Sequence, residues 1–159
     1  MPSLLPVFQW FADTWLSGVI SDSKWLFPAI EGVHIVALAL LLGAIFILDL
    51  RLFGLVLRTK PLPHLALELA PWILSGLIII LATGFLLFTS EATKAYASGP
   101  FRVKMILLFA AIVFHFTIFR ILTRADDGVF RPLWNRLAAT TSLILWLGVG
   151  LAGRAIGFL

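Results

Sequence analysis

Four apolar runs, each long enough to cross a lipid bilayer, are the feature that most limits what this chain can fold into. They lie at about residues 27–50, 71–90, 101–123 and 137–158. A membrane-spanning helix needs about 20 apolar residues. The runs are continuously apolar rather than alternating, which argues against a β-barrel. The sequence therefore predicts an all-α integral membrane protein.

The connections between the runs are short, which predicts an up-down four-helix bundle with both termini on one side of the membrane. Composition agrees, because 61% of the residues are hydrophobic and 13% are charged. Soluble domains have roughly 45–50% apolar and about 25% charged residues. An ordinary soluble enzyme, a nucleic-acid module and a coiled coil are excluded on this ground. Residues 1–159 are expected to form a single membrane domain.

The segment before the first run has the pattern of an amphipathic helix. Its apolar residues recur at steps of three and four and so share one helix face: Leu4, Phe8, Phe11, Trp15 and Val19. The segment has no basic residue before Lys24, unlike a secretory signal. We expect an interfacial helix over residues 1–24. An extra helix packed against the bundle is the alternative.

The basic residues predict the orientation in the membrane. Seven fall on the side of the first and third loops: Arg51, Arg58, Lys60, Arg120, Arg124, Arg131 and Arg136. Five fall on the side of the termini: Lys24, Lys94, Arg102, Lys104 and Arg154. Basic residues accumulate on the cytoplasmic side. We therefore expect periplasmic termini in a bacterial cytoplasmic (inner) membrane, and we attribute the net charge of +4 to topology rather than to nucleic-acid binding.

Ionisable residues within membrane spans cost free energy to insert, so each one is a candidate functional residue. Glu31 and His34 share a face near the outer end of the first span, and Asp49 and Arg51 lie at its inner end. The latter two are expected to be a snorkelling pair that anchors the span. His64 falls in a Pro-rich loop and is interpreted as a solvated residue.

Lys104 and His115 are eleven residues apart in the third span, so they point to one side of the helix, about 16 Å apart along its axis. Histidine is a standard axial ligand of haem. We predict a haem b site in which His34 and His115 ligate the iron and Lys104 and Arg154 neutralise the propionates. The two histidines differ in depth by helix rise, about 10 Å and 19 Å below the outer end. Ligation by His34 alone, near Lys104, is therefore the alternative.

Small residues on the four spans either make room for the macrocycle or serve close helix packing. They are Ala37, Gly43, Gly76, Gly84, Ala110, Ala111, Gly148, Gly150 and Gly153.

Two stretches carry a recognisable pattern. They are VHIVALALLLGAIFILDLRLFGL at residues 33–55 and FRVKMILLFAAIVFH at residues 101–115. The first has His34 followed by the basic end Arg51-Leu52-Phe53, and the second has Lys104 followed by His115. Both resemble the HemJ-type protoporphyrinogen oxidases, a four-helix membrane family that binds b-type haem, and more distantly the CopD-like membrane proteins. An uncharacterised sister family is the alternative.

The resemblance implies haem b, and it implies protoporphyrinogen IX as substrate with His34 and Lys104 in contact with substrate or haem. Our leading expectation is a membrane-embedded b-type haem protein in electron transfer or redox chemistry, an oxidoreductase if it is an enzyme. Its expected partners are the lipid bilayer, a quinone or porphyrin substrate, a redox partner protein and a second copy of the chain, with no nucleic acid. HemJ-like oxidation and a cofactor-free structural or assembly subunit are the alternatives.

Copper transport is a minor alternative. The chain has no cysteine, and its methionines are Met1 and Met105. Copper(I) prefers thiolate and thioether ligands. Iron–sulfur clusters and covalently attached c-type haem also need cysteine and are excluded.

Overall fold

The computed structural model describes residues 4–124 and 132–156, which form seven helices and no strand. The helices are α1 Leu5–Ala12, α2 Trp15–Asp22, α3 Leu26–Leu52, α4 Leu62–Ser90, α5 Ala92–Ala97, α6 Gly99–Arg124 and α7 Pro132–Ile156. Four of them, α3, α4, α6 and α7, are long and apolar enough to cross a membrane. The prediction of an all-α multi-pass membrane protein is confirmed.

The four long helices pack as a ring. Helix α3 contacts α4 and α7, and α6 contacts α4 and α7, so α3 and α6 lie diagonally across the interior. Neighbouring helices are antiparallel, since Gly76 adjoins Leu41 while the later Gly84 adjoins the earlier His34. We call the end that carries α1, α2 and α5 the outer end, and the opposite end the inner end.

Two clusters of buried apolar side chains fill the bundle and set the relative depth of its helices. The outer core contains Leu41 of α3 and Ala111 of α6. The inner core contains Leu52 of α3 and Leu122 of α6. The N-terminal halves of α3 and α6 thus lie at the outer end, and their C-terminal halves lie at the inner end.

Large apolar side chains cover the outside of the long helices. Leu40, Ile78, Phe109 and Leu151 are all more than half exposed. Such a continuous apolar surface on a four-helix bundle is compatible with contact to the lipid bilayer.

The N-terminal segment differs from the expected single helix, because it forms two helices with a break before Thr14. Thr14 is the N-cap of α2, where its hydroxyl accepts a hydrogen bond from the Ser17 backbone N–H at 3.4 Å. An N-cap residue has a non-helical backbone conformation, so a helix cannot continue through it. The expected apolar face is therefore interrupted, and Trp15 is exposed while Ile20 is buried.

The two short helices pack on the outer end of the bundle, as the alternative expected. The Phe8 and Phe11 rings each lie 5.5 Å from the Phe88 ring of α4. Phe8 also lies 5.2 Å from the Tyr96 ring of α5. These edge-on aromatic contacts attach α1 to the bundle.

Helix α4 begins at Leu62 rather than at the expected residue 71. Pro61 is its N-cap and Pro63 lies in its first turn, where a missing N–H costs no helical hydrogen bond. His64 is therefore helical and not in a loop. It is exposed, and its Nε2 lies 3.1 Å from Glu68 Oε1.

Close contact between α3 and α4 at Gly76 leads to a stability prediction. An added Cβ there would lie 3.2 Å from Leu41 Cβ and 3.6 Å from the Ala37 carbonyl oxygen. We expect Gly76→Val to destabilise the bundle by about 1–3 kcal/mol through overpacking, measured by thermal unfolding in detergent. Gly32→Val is the control, because nothing lies within 4 Å of that site. Equal losses in both variants would assign the effect to helix propensity instead.

Candidate functional site

His34 on α3 is held by a hydrogen bond to α4. Its Nδ1 lies 2.7 Å from Thr83 Oγ1, and the same hydroxyl lies 2.7 Å from the Ile79 carbonyl oxygen. A carbonyl oxygen only accepts, so the single hydroxyl proton goes to Ile79 and the hydroxyl accepts from His34 Nδ1–H. Nδ1 therefore carries a proton, and in the neutral imidazole the lone pair is on Nε2.

A glycine next to Thr83 makes room for this ring. A Cβ on Gly84 would lie 3.3 Å from His34 Cε1 and 3.8 Å from its Nδ1. The absence of a side chain at Gly84 thus allows α4 to lie close to the histidine ring. Glu31, one turn nearer the outer end, is exposed, and no hydrogen bond joins it to His34 in the part of the chain that the structure describes.

Lys104 lies across the interior from His34 and is half-buried on α6. The ammonium lies over Gly153 of α7, where an added Cβ would be 3.4 Å from Nζ. Within residues 4–124 and 132–156, no carboxylate forms a salt bridge with it. Among the described residues, the outer half of the bundle therefore combines an imidazole with a cation that has no carboxylate salt-bridge partner.

Arg154 follows Gly153 on α7 and is exposed. Its position beside the glycine under Lys104 puts it near the outer end, in the same turn of α7. Three of the four predicted site residues, His34, Lys104 and Arg154, thus lie in the outer half of the bundle.

His115 lies in the other half. It is buried on α6 between Ala111 of the outer core and Leu122 of the inner core. Its ring stacks on Phe119 at 6.4 Å and meets the edge of Phe116 at 5.8 Å. Helix rise separates it from the level of Lys104 by about 16 Å. The structure does not bring His34 and His115 to one depth.

The expected pair of Asp49 and Arg51 is wrong. Arg51 turns to the loop after α3 and donates to the Lys60 carbonyl oxygen, from Nε at 3.1 Å and Nη2 at 2.8 Å. Asp49 turns into the bundle, where it is 2% exposed and has Ser142 of α7 as a polar neighbour. Residues two apart do not share a helix face, so the spacing itself argued against the pair.

The small residues have different surroundings in the structure. Gly76 and Gly148 pack against leucine side chains, which is close helix packing. Gly84 and Gly153 instead adjoin the two polar side chains of the outer site. Gly43 has no neighbour within 4 Å.

No cluster of three or more metal-ligating side chains occurs among the described residues. The donor set of the outer site is one imidazole nitrogen with a cation nearby. That set matches a metal carried by an anionic organic cofactor better than a bare metal ion, which needs several protein ligands.

Comparison with known proteins gives one match. The family described as "Family of unknown function (DUF6644)" matches residues 7–159, which is nearly the whole chain. No curated protein matches the chain, and no solved structure does. The chain therefore belongs to the DUF6644 family.

Proposed function

We propose that this protein is a membrane-embedded b-type haem protein that takes part in electron transfer or related redox chemistry. In this proposal it lies in the bacterial inner membrane with both termini in the periplasm. The observation that carries the proposal is the hydrogen bond between His34 Nδ1–H and Thr83, which leaves the Nε2 lone pair available to a metal.

The His34–Thr83 contact has the form of a metal-ligand support. A histidine that binds a metal through one ring nitrogen almost always donates its other N–H to an acceptor, which fixes the tautomer and the ring orientation. Thr83 is that acceptor, and its own proton is used by the Ile79 carbonyl. His34 can thus ligate iron without a change of tautomer.

Lys104 supplies the complementary charge. A half-buried ammonium that lacks a carboxylate partner within the described part of the chain can form a charge-assisted hydrogen bond with a haem propionate. Arg154 adds a second basic group near the outer end. The propionates would face the outer end. Water and lipid headgroups there would solvate the propionate charge that the two cations do not neutralise.

The depth of His115 supports ligation by one protein histidine. His34 would hold the iron, Thr83 would orient His34, and Lys104 would bind a propionate. A haem held there would supply one-electron redox chemistry.

Oxidation of protoporphyrinogen IX is a narrower form of this proposal. The resemblance of His34 and Lys104 to the HemJ pattern supports it, and the same cations would match the propionates of a porphyrinogen. Activity toward that substrate requires the haem site, so the haem is tested first.

The test is a visible spectrum of the full chain purified in mild detergent, recorded air-oxidised and after reduction by dithionite. We expect one haem per chain by pyridine haemochrome, with a Soret band and without the sharp reduced α and β bands of a two-ligand site. Protein that stays colourless after growth with haem precursor and after titration with haem would overturn the proposal. That result would leave the cofactor-free subunit as the better explanation.

The role of Thr83 leads to a prediction about affinity. Thr83→Val keeps the side-chain shape but removes the acceptor for His34, so we expect haem to bind about 10–100-fold more weakly. Thr83→Ser should restore most of the affinity in the same haem titration. Thr140→Val is the matched control, since Thr140 is exposed and bonds only to its own helix at 2.8 Å. Equal haem affinity in the Val and Ser variants would show that the Thr83 hydroxyl does not contribute to haem binding.

A further inference from the structure

A second polar pair lies in the inner half of the bundle, away from the His34 site. Asp49 on α3 and Trp146 on α7 are 2% and 3% exposed. Asp49 Oδ2 and Trp146 Nε1 are fully buried, and neither has a hydrogen-bond partner within the described ranges. Proteins pair nearly all of their buried polar atoms. An unpaired acceptor and an unpaired donor point to a ligand that donates a hydrogen bond to the first and accepts one from the second.

Both side chains line one cavity between α3 and α7, with a volume of about 260 Å³. The rest of its lining is apolar: Leu42, Gly43, Ile45, Phe46, Leu143 and Leu147. Phe46 and Leu147 are 48% and 57% exposed on the lipid-facing surface. A ligand would therefore enter sideways from the bilayer and not from the outer end.

The chemistry of the two buried atoms limits the ligand. An indole N–H only donates, and an ionised carboxyl group only accepts, so a hydroxyl group can bond to both. Pockets for whole drug-sized molecules measure about 300–1,000 Å³. This smaller cavity is large enough for one ring whose apolar tail stays in the lipid. A hydroxylated ring with an apolar tail is the description of a membrane quinol.

We propose that the groove between α3 and α7 binds the ring of a lipid-phase quinol. One ring hydroxyl donates to Asp49 Oδ2 and accepts from Trp146 Nε1, while Ser142 remains the other polar neighbour of the carboxyl group. The inference deepens the proposed function, because it gives the lipid-phase redox partner a site. Binding itself does not require haem.

The first experiment compares two ligands on the unmodified protein. The full chain, prepared without haem, is placed in phosphatidylcholine nanodiscs and titrated with decylubiquinol and with its bis-O-methyl ether. The ether has the same ring and tail but cannot donate a hydrogen bond. We expect saturable binding of one quinol per chain and at least tenfold weaker binding of the ether. Equal partitioning of both ligands would overturn the proposal.

The second experiment uses two variants. Trp146→Phe removes the N–H but keeps an aromatic ring, and Asp49→Leu removes the acceptor at similar size. Each should weaken quinol binding about tenfold. Trp134→Phe is the matched control, since Trp134 is 65% exposed on the same helix. If both groove variants bind quinol with wild-type affinity, the two buried atoms bond to water rather than to a quinol, and the proposal is overturned. Because haem is absent throughout, failure here is distinguishable from failure of the haem proposal.

Discussion

His34→Ala is expected to abolish haem binding, whereas His115→Ala should keep about one haem per chain. The Nδ1–H of His34 is held by Thr83, which leaves Nε2 of the neutral ring available, and Lys104 lies on the helix diagonally across the interior. His115 lies about 16 Å deeper by helix rise, among phenylalanine rings. The measurement is haem content by pyridine haemochrome, together with the Soret absorbance of each purified variant.

His64→Ala is the control for this comparison, because His64 is exposed and pairs with Glu68 on the surface of α4. It should retain the full Soret band. Loss of haem in both His34→Ala and His115→Ala, with sharp reduced bands in the wild type, would contradict ligation by one histidine. The helices would then have to shift to bring the two rings to one depth.

Lys104→Met is expected to raise the stability of the haem-free protein and to lower its affinity for haem. A lysine at the centre of a membrane helix costs roughly 2.5–3.5 kcal/mol on insertion scales, and less near an end. We therefore expect the haem-free variant to gain about 1 kcal/mol of stability, since the ammonium has no carboxylate partner in the described residues. Thermal unfolding of haem-free protein in detergent measures this gain.

The same substitution should weaken haem binding about tenfold to a hundredfold. A charge-assisted hydrogen bond contributes roughly 1.5–3 kcal/mol, which corresponds to that range of affinity. Lys94→Met is the control, because Lys94 is exposed on α5 and its Nζ pairs with Glu91 Oε1 at 2.6 Å. A Lys104 variant that loses stability, or binds haem as the wild type does, would show that Lys104 has a structural role instead.

Taken together, the two predictions separate a cofactor site from a structural polar pair. A structural role predicts that removing either His34 or Lys104 lowers the stability of the haem-free bundle. The cofactor role predicts that haem affinity falls in both variants, while the haem-free Lys104 variant becomes more stable. A polar group kept at a cost to stability is typical of a functional site within a membrane.

Several features of the fold could be predicted from the amino-acid sequence alone. Apolar runs of about 20 residues specify membrane helices, because a backbone in lipid must satisfy its own hydrogen bonds. The spacing of Lys104 and His115 likewise predicted that both point to one side of α6, since helix geometry is local. The apolar pattern does not predict the early start of α4 at Leu62, because prolines are common in loops but are also tolerated in the first turn of a helix.

Contacts between helices were decided by the tertiary structure, because they depend on how residues far apart in sequence come into register. No local pattern indicated that Thr83 would orient His34, or that Gly84 and Gly153 would adjoin the two polar side chains. The burial of Asp49 beside Ser142 and Trp146 also depends on the antiparallel packing of α3 on α7. The sequence thus determined which residues are costly in a membrane, and helix packing decided which of them meet.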